Sequence, residues 1–147
     1  MKRIFVVGLF AFFGTTAFAN DPDAVSEKVL KSFKETFTHA QNVKWHENDD
    51  NYSVRFYQGD TKYIVYYNKK GRITGSMKFY EPALLPTRIL ANISREYPDN
   101  TSFYVTEISV GNDVAYFVKM QDENYWYTIR YDNNGESSEH EKIRKQK

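Results

Sequence analysis

The chain has 147 residues, a formal net charge of +1 and no cysteine. The lack of cysteine excludes a disulfide framework, and the near-neutral charge gives no electrostatic reason to expect binding to nucleic acid or an anionic membrane. Aromatic residues make up 17% of the sequence, with 12 Tyr among them, and tyrosine suits both the edge of a core and a contact surface.

The first 19 residues are typical of an export signal. Lys2 and Arg3 precede an apolar stretch of about ten residues, which is too short to cross a bilayer. Ala17–Ala19 then fits the small-residue cleavage rule, so we predict a signal peptide over 1–19 and a periplasmic or secreted mature chain. An uncleaved membrane anchor is the alternative. After cleavage we expect no stable membrane insertion and a net charge of about −1, because two cations are lost.

The rest of the chain is similar to itself at an offset of about 64 residues. The run Tyr52–Phe56 matches Tyr116–Met120, and the turn sequence Asn68–Gly71 matches Asp132–Gly135. An internal repeat of this length indicates a duplicated structural unit. We therefore predict an α+β fold that is a tandem repeat of one helix plus a four-stranded antiparallel sheet. The two predicted units cover 20–81 and 82–147.

Each predicted unit begins with an amphipathic helix. Asp21 and Pro22 supply a start signal for the first helix. The second helix lies between Pro86 and Pro98, because proline does not continue a helix. The apolar side chains recur at helical spacing and are expected to face the sheet. They are Val25, Val29, Leu30, Phe33 and Phe37 in the first helix and Ile89, Leu90, Ile93 and Tyr97 in the second.

Alternating runs separated by Gly, Asn and Asp turns follow each helix and predict antiparallel strands. In the first unit the strands begin at 43–45 and continue over 52–57, 62–67 and 72–80. In the second unit they cover 102–110, 114–121 and 125–131, with a final polar strand. Alternation points one set of side chains towards the helix. This set is Tyr52, Val54, Phe56, Tyr63, Val65 and Tyr67, with Tyr116, Val118, Met120, Tyr127, Ile129 and Tyr131 as counterparts.

The opposite side of the predicted sheet has an unusual composition. The solvent side of an antiparallel sheet is normally polar, but here large aromatic residues are mixed with Arg and Lys, and Tyr, Trp and Arg are enriched at protein-binding hot spots. Cover by the other unit or by a homodimer partner explains this composition equally well. The residues on this side are Arg55, Tyr57, Ile64, Tyr66, Phe117, Lys119, Trp126, Thr128 and Arg130.

The sequence does not indicate a catalytic or metal centre. His39, His46 and His140 occur in no paired metal-binding spacing, and there is no nucleophile elbow and no Gly-rich phosphate loop. We predict no enzymatic activity, no metal and no cofactor. A metal-dependent activity lost on changing His46 would favour an enzyme instead.

One set of residues resembles a known family. It consists of Phe33, Phe37, Thr38, Ala40, Val43, Trp45, Tyr52, Val54, Phe56 and 68–71. These positions resemble the PepSY-like, β-lactamase-inhibitor-like (BLIP-like) domains of exported bacterial proteins, although Thr38 stands where that family usually has Pro. The resemblance implies inhibition of an enzyme through the sheet face and hairpin turns, with an acidic turn that enters a cleft. Asp49 and Asp50 form the matching turn. The absence of cysteine differs from the disulfide-bearing inhibitors.

We therefore expect an exported, non-enzymatic protein that binds a protein or peptide, as an inhibitor or modulator of a cell-envelope enzyme. The alternative is a structural or assembly module whose aromatic sheet side is buried in a homodimer. The predicted partner-binding residues are Arg55, Tyr57, Tyr66, Phe117, Trp126, Arg130, Asp49 and Asp50.

Overall fold

The structure is a computed structural model that describes residues 25–146. Two helices and eight strands follow one another, with a short 3-10 turn over Pro82–Leu84. The first helix is α1 (Glu27–Thr36), followed by β1 (Gln41–Glu47), β2 (Asn51–Gln58), β3 (Thr61–Asn68) and β4 (Ile73–Tyr80). The second helix is α2 (Thr87–Glu96), followed by β5 (Thr101–Val110), β6 (Asp113–Gln121), β7 (Tyr125–Asp132) and β8 (Ser137–Arg144).

The two helices are built alike and carry the predicted apolar stripes. Each has ten residues and buries two aliphatic or aromatic side chains one turn apart, Val29 and Phe33 in α1 and Ile89 and Ile93 in α2. The residue after each helix closes the last turn through its backbone N–H, which donates to the carbonyl of Phe33 in α1 and of Ile93 in α2. Pro98 follows shortly after α2 and prevents its continuation.

All eight strands belong to one antiparallel sheet in sequence order. The sequence led us to expect a four-stranded sheet in each unit, and the structure shows that β4 pairs with β5 from Gly75↔Val110 to Tyr80↔Val105. This pairing joins the two sets of strands into a single hydrogen-bonded surface. The antiparallel sheet and the two helices are confirmed.

Both helices pack on the same side of the sheet. Tyr63, Lys78, Glu107 and Tyr116 are successive register partners across the middle four strands. Tyr63 packs against the core under α1, and Tyr116 packs against the core under α2. Side chains that are direct register partners share a side of the sheet, so the two cores lie on one side.

The core under α1 is largely aromatic. Phe33 lies edge-on to both Trp45 and Phe56, with ring centroids 5.2 Å apart in each case. Phe56 also stacks on Tyr63 at 5.0 Å. The core under α2 is mostly aliphatic instead, and its buried members are Tyr80, Leu85, Ile89, Ile93, Val105, Val118, Met120, Ile129 and Tyr131.

The turns at Asn68 and Asp132 have the same design. The side-chain oxygen of Asn68 accepts hydrogen bonds from two turn amides at 3.0 Å, and Asp132 Oδ1 does the same at 2.8 and 2.9 Å. A glycine with positive φ completes each turn, Gly71 at +82° and Gly135 at +84°. A left-handed backbone favours glycine because it has no Cβ.

The predicted export signal over 1–19 and the start signal at Asp21 and Pro22 lie outside the described residues. Neither α1 nor α2 is long and apolar enough to cross a bilayer, and this finding concerns residues 25–146 only.

Candidate functional site

The side of the sheet opposite both helices, hereafter the open face, contains the six strand residues predicted to bind a partner. Two rows of successive register partners run across it. The first row is Lys44, Arg55, Ile64, Met77, Ile108 and Ala115. The second row is Tyr57, Lys62, Phe79, Thr106, Phe117 and Arg130.

The structure brings four of the predicted residues close together in these rows. Tyr57, Phe117 and Arg130 lie in the second row, and Arg55 lies in the first. Phe117 and Arg130 are direct register partners, and the Phe117 ring is also 5.1 Å from the His140 ring in an edge-on arrangement. The second row therefore combines aromatic area with cationic groups.

Tyr66 and Trp126 lie on the same face but outside the two rows. Tyr66 is opposite Gly75, and its hydroxyl is 4.0 Å from the sulfur of Met77. Trp126 lies near the opposite end of the sheet, where its ring contacts Phe103 edge-on at 5.5 Å and Lys145 Nζ sits 4.5 Å from its centroid. Trp126 is 42% exposed, so it marks a corner of the open face.

Sequence reasoning missed the apolar centre of this face. Met77 and Phe79 on β4 and Ile108 on β5 connect the residues of β3 with those of β6. Lys62 Nζ lies 5.0 Å from the centroid of Phe79, which in turn packs near Tyr104 at 6.3 Å. The alternation of apolar and polar residues in Met77–Phe79 indicates that Met77 and Phe79 share one side of the sheet. Which side that is depends on the β4–β5 register.

Asp49 and Asp50 are exposed in the turn between β1 and β2. Hydrogen bonds fix this turn, because Asn48 Nδ2 donates to Asn51 Oδ1 at 2.8 Å and the ring of His46 lies 3.0 Å from Asn48 Oδ1. The turn is at the sheet end where β2 begins, whereas Tyr57 is near the end where β2 finishes. The two aspartates are therefore separated along β2 from the aromatic row.

A cavity of about 670 Å³ opens at the β1 side of the open face. It is lined by Asn42, Val43, Lys44, Arg55 and Tyr57. Asn42 has a positive φ of 53° and lies in a bulge of β1 between Gln41 and Lys44. Two residues predicted from the sequence to bind a partner, Arg55 and Tyr57, thus contribute to one recess.

A second polar group lies on the helix side, where β4 meets β5. Lys78 Nζ is 2.7 Å from Glu107 Oε1, and the Tyr80 hydroxyl donates to Glu107 Oε2 at 2.7 Å. Burial and the bonded carboxylate of Glu107 raise the pKa of Tyr80 well above its ordinary value. This group links the last strand that follows α1 to the first strand that follows α2, and it is part of the scaffold of the sheet.

The histidines are dispersed in the structure. His39 is exposed after α1, while His46 and His140 lie on β1 and β8. Among residues 25–146 there is no group of three or more His, Cys, Asp or Glu side chains arranged to hold a metal ion.

Comparison with known proteins places the fold. No protein-family profile matches the sequence, and no curated protein matches it. A BLIP-like protein of Bacteroides fragilis superimposes with a TM-score of 0.63 at 12% identity, over 84% of this chain and 89% of the other. A DUF2874 family protein of Bacteroides ovatus gives a TM-score of 0.60 at 17% identity, over 83% and 89%. A proposed periplasmic protein of Bacteroides eggerthii gives 0.59 at 14% identity, over 82% and 88%.

These similarities show a BLIP-like fold. At such low sequence identity they concern architecture alone, because one fold hosts many functions. The PepSY-like part of the resemblance stays a prediction.

Proposed function

We propose that this protein is an exported, non-enzymatic binding protein whose open face engages a protein or peptide partner. The observation that carries this proposal is the row of Tyr57, Lys62, Phe79, Thr106, Phe117 and Arg130 on a sheet side that neither helix covers. Aromatic residues with arginine are the typical anchors of protein interfaces, and apolar patches on such a surface usually mark a contact.

The structural similarities support the choice of partner class and location. A BLIP-like fold and a structural relative proposed to be periplasmic are both compatible with action in the cell envelope. We infer that the partner is a cell-envelope enzyme, which the protein inhibits or modulates. In that arrangement Asp49 and Asp50 would approach a cleft of the enzyme from one end of the sheet, while Trp126 would contact it at the other.

We also propose that the chain arose as a tandem repeat. The order of elements, one helix and then four strands, occurs twice. The matching side-chain caps at Asn68 and Asp132 support the same conclusion. An internal duplication accounts for these correspondences without requiring any shared function of the two parts.

The proposal predicts that exposed aromatic residues on the open face are needed for binding but not for folding. Tyr57 and Trp126 are 39% and 42% exposed, so replacing both with Ala should abolish capture of the envelope partner in a pull-down while shifting the thermal midpoint little. Leu84→Ala is the matched control, because Leu84 is a large exposed apolar residue, at 62%, away from this face. Its variant should capture the partner normally.

Two results would contradict this function. If the Tyr57→Ala/Trp126→Ala variant unfolds, the open face belongs to the core. If light scattering shows a stable dimer for the wild type and a monomer for that variant, the face is a homodimer interface, and the assembly module replaces the binding protein.

A further inference from the structure

The β1 side of the open face holds two cations in direct opposition. Lys44 and Arg55 are register partners on neighbouring strands. Like charges directly opposite one another on a sheet destabilise it. Lys44 forms no ion pair with another residue of 25–146. A negatively charged group beside Lys44 would lower the repulsion between the two side chains.

The cavity at this position has the size and the donors for such a group. Its volume is about 670 Å³, and its lining includes Lys44, Arg55, Tyr57 and Asn42. Arginine binds a carboxylate through two parallel hydrogen bonds, while lysine contributes a point charge. The tyrosine hydroxyl and the asparagine amide are further donors. The set therefore matches an oxygen anion.

The surroundings favour an occupant that also has apolar parts. Lys62, the register partner of Tyr57, is a third cation on this part of the open face, and its Nζ lies over the ring of Phe79 rather than in the cavity. On β1 to β3 the open face has no carboxylate among its strand residues, which are Gln41, Lys44, His46, Asn51, Ser53, Arg55, Tyr57, Lys62, Ile64, Tyr66 and Asn68. The first row continues from Arg55 into the apolar stretch Ile64, Met77 and Ile108. A free inorganic ion would leave that stretch uncovered.

We propose that the cavity binds a carboxylate of an acidic polypeptide segment, whose apolar side chains then cover Ile64, Met77 and Ile108. This inference rests on the proposed function and specifies the chemistry of the partner. It assigns Lys44 and Arg55 to charge recognition and Tyr57 to the edge of the cavity.

Titration of the isotope-labelled protein by NMR with two synthetic peptides tests the proposal. The probe is a short acetylated and amidated peptide that alternates Leu and Glu, and its comparison peptide has Gln in place of Glu. We expect the Glu peptide to bind at least roughly tenfold more tightly, because hydrogen bonds to charged groups are the stronger ones. Its affinity should fall as salt is added, and amide shifts should map to β1 and β2.

Two substitutions separate recognition from structure. Arg55→Gln should weaken binding of the Glu peptide roughly tenfold. Lys44→Glu should abolish this binding and at the same time raise the thermal midpoint, because it converts a repulsive cross-strand pair into an attractive one. Lys119→Gln is the matched control, since Lys119 is a cation on the same face but hydrogen-bonded to Thr128, away from the cavity. It should leave binding unchanged.

The outcomes distinguish this inference from the proposed function. Equal binding of the two peptides, no binding of the Glu peptide, or no effect of Lys44→Glu would overturn the carboxylate site. If capture of the envelope partner still depends on Tyr57 and Trp126 in that case, the proposed function stands without it. The carboxylate site would also be overturned if the protein bound inorganic phosphate, or vesicles containing anionic lipid, more tightly than the Glu peptide and if Lys44→Glu abolished that binding. The ligand would then be a phosphate group.

Discussion

The N-terminal half of the structure (α1 and β1–β4) and the C-terminal half (α2 and β5–β8) use the same backbone plan with different side chains. Under α1 the core consists of interlocking rings, whereas under α2 it consists mostly of aliphatic side chains. On the open face, β1 to β3 carry cations without carboxylates, while β8 contributes Glu141, which accepts a hydrogen bond from Thr128 at 3.2 Å. Burial at corresponding positions determines the fold, and the chemistry at those positions can diverge.

The two cores can be compared at one matched pair of fully buried positions, Phe56 and Met120. We expect Phe56→Ala to cost about 3–5 kcal/mol and Met120→Ala about 2–5 kcal/mol. The Phe56 loss should be the larger, because its ring contacts Phe33, Phe37 and Tyr63 with centroids 4.7–5.2 Å apart, whereas flexible aliphatic neighbours can partly fill the space left by methionine. Urea unfolding of both variants measures the difference, and a greater loss for Met120→Ala would contradict this interpretation.

The next comparison concerns the link between the halves. Glu107 on β5 binds both Lys78 and Tyr80 on β4, and its side chain is only 13% exposed. We expect Glu107→Gln to cost about 1–3 kcal/mol, because the buried Tyr80 and the half-buried Lys78 lose a charged partner. Calorimetry should also show whether the halves still unfold in a single transition.

The matched control for this link is the ion pair between Lys69 and Glu47, which joins the β3–β4 turn to β1 within the N-terminal half at an exposed site. The Glu47→Gln variant should lose less stability than the Glu107→Gln variant, because solvent screens exposed pairs. Equal losses would mean that burial does not strengthen the link between β4 and β5.

The two left-handed glycines allow a finer comparison. A Cβ at Gly71 would lie 3.0 Å from the backbone carbonyl oxygen of Lys28, whereas a Cβ at Gly135 would meet side-chain atoms of Asn92 and Arg88 at 3.1–3.5 Å. Both Ala variants suffer a backbone strain of about 1–2 kcal/mol. Gly71→Ala should lose more, because the helix backbone cannot move aside as a side chain can.

Gly111→Ala provides the baseline for these two variants, since Gly111 has a φ of +59° and nothing within 4 Å of the added Cβ. Thermal midpoints should fall in the order Gly111, Gly135, Gly71, with the Gly71 variant least stable. A Gly71→Ala midpoint no lower than that of Gly111→Ala would show that α1 shifts easily away from the β3–β4 turn.

The smallest expected effect separates the turns at Gln58 and Asp122, which are matched positions. Of these two positions, only 122 carries a carboxylate, which accepts a hydrogen bond from the Tyr127 hydroxyl at 2.6 Å and from two turn amides at 2.7 Å. The Tyr127 hydrogen bond is the main cause that lowers the pKa of Asp122, and the bond to this carboxylate raises the pKa of Tyr127 to about 12.

These two shifts give opposite pH dependences. The stabilisation from Asp122 is present above the ordinary aspartate pKa of about 4 and is lost as pH falls through the lowered value. The stabilisation from Tyr127 is present below the ordinary tyrosine pKa of about 10 and is lost as pH rises through about 12. Asp122→Asn should remove both effects.

An NMR titration of the tyrosine ring carbons checks this expectation. With the Tyr127 signal assigned by a Tyr127→Phe variant, Asp122→Asn should move its titration midpoint towards the ordinary tyrosine value. Tyr63→Phe, at the matched position of the N-terminal half, serves as the control and should leave the Tyr127 signal unchanged. A midpoint that stays near 12 in Asp122→Asn would assign the raised pKa to another cause.

The sequence predicted most of the local structure, because the relevant signals are short-range. Four-residue spacing identified Val29, Phe33, Ile89 and Ile93 as the helix faces, and alternation correctly oriented the strands after each helix. The β4–β5 pairing was not predictable in the same way. About twenty residues separate the two strands, and the run Ile73–Tyr80 alternates poorly around Gly75. The apolar centre of the open face follows from that pairing, so it too became visible only in the structure.

The sequence predicted on which side of the sheet the site residues lie, but not which of them are neighbours on that side. Alternation placed Tyr57, Phe117 and Arg130 on one face, but their shared row depends on register across five pairs of strands. Lys44 also faces Arg55 only because β1 has a bulge at Asn42. The sequence does not predict this bulge, because position 42 is not a glycine.

The outermost strands limit how copies of this protein can associate. The bulge at Asn42 interrupts the regular spacing of free backbone groups along β1, and β8 presents a fully exposed run of mixed charges that includes Glu139, Glu141 and Lys142. Irregular or charged borders discourage another chain from extending the hydrogen-bond ladder. Growth into an open-ended fibre by border-to-border addition is therefore disfavoured.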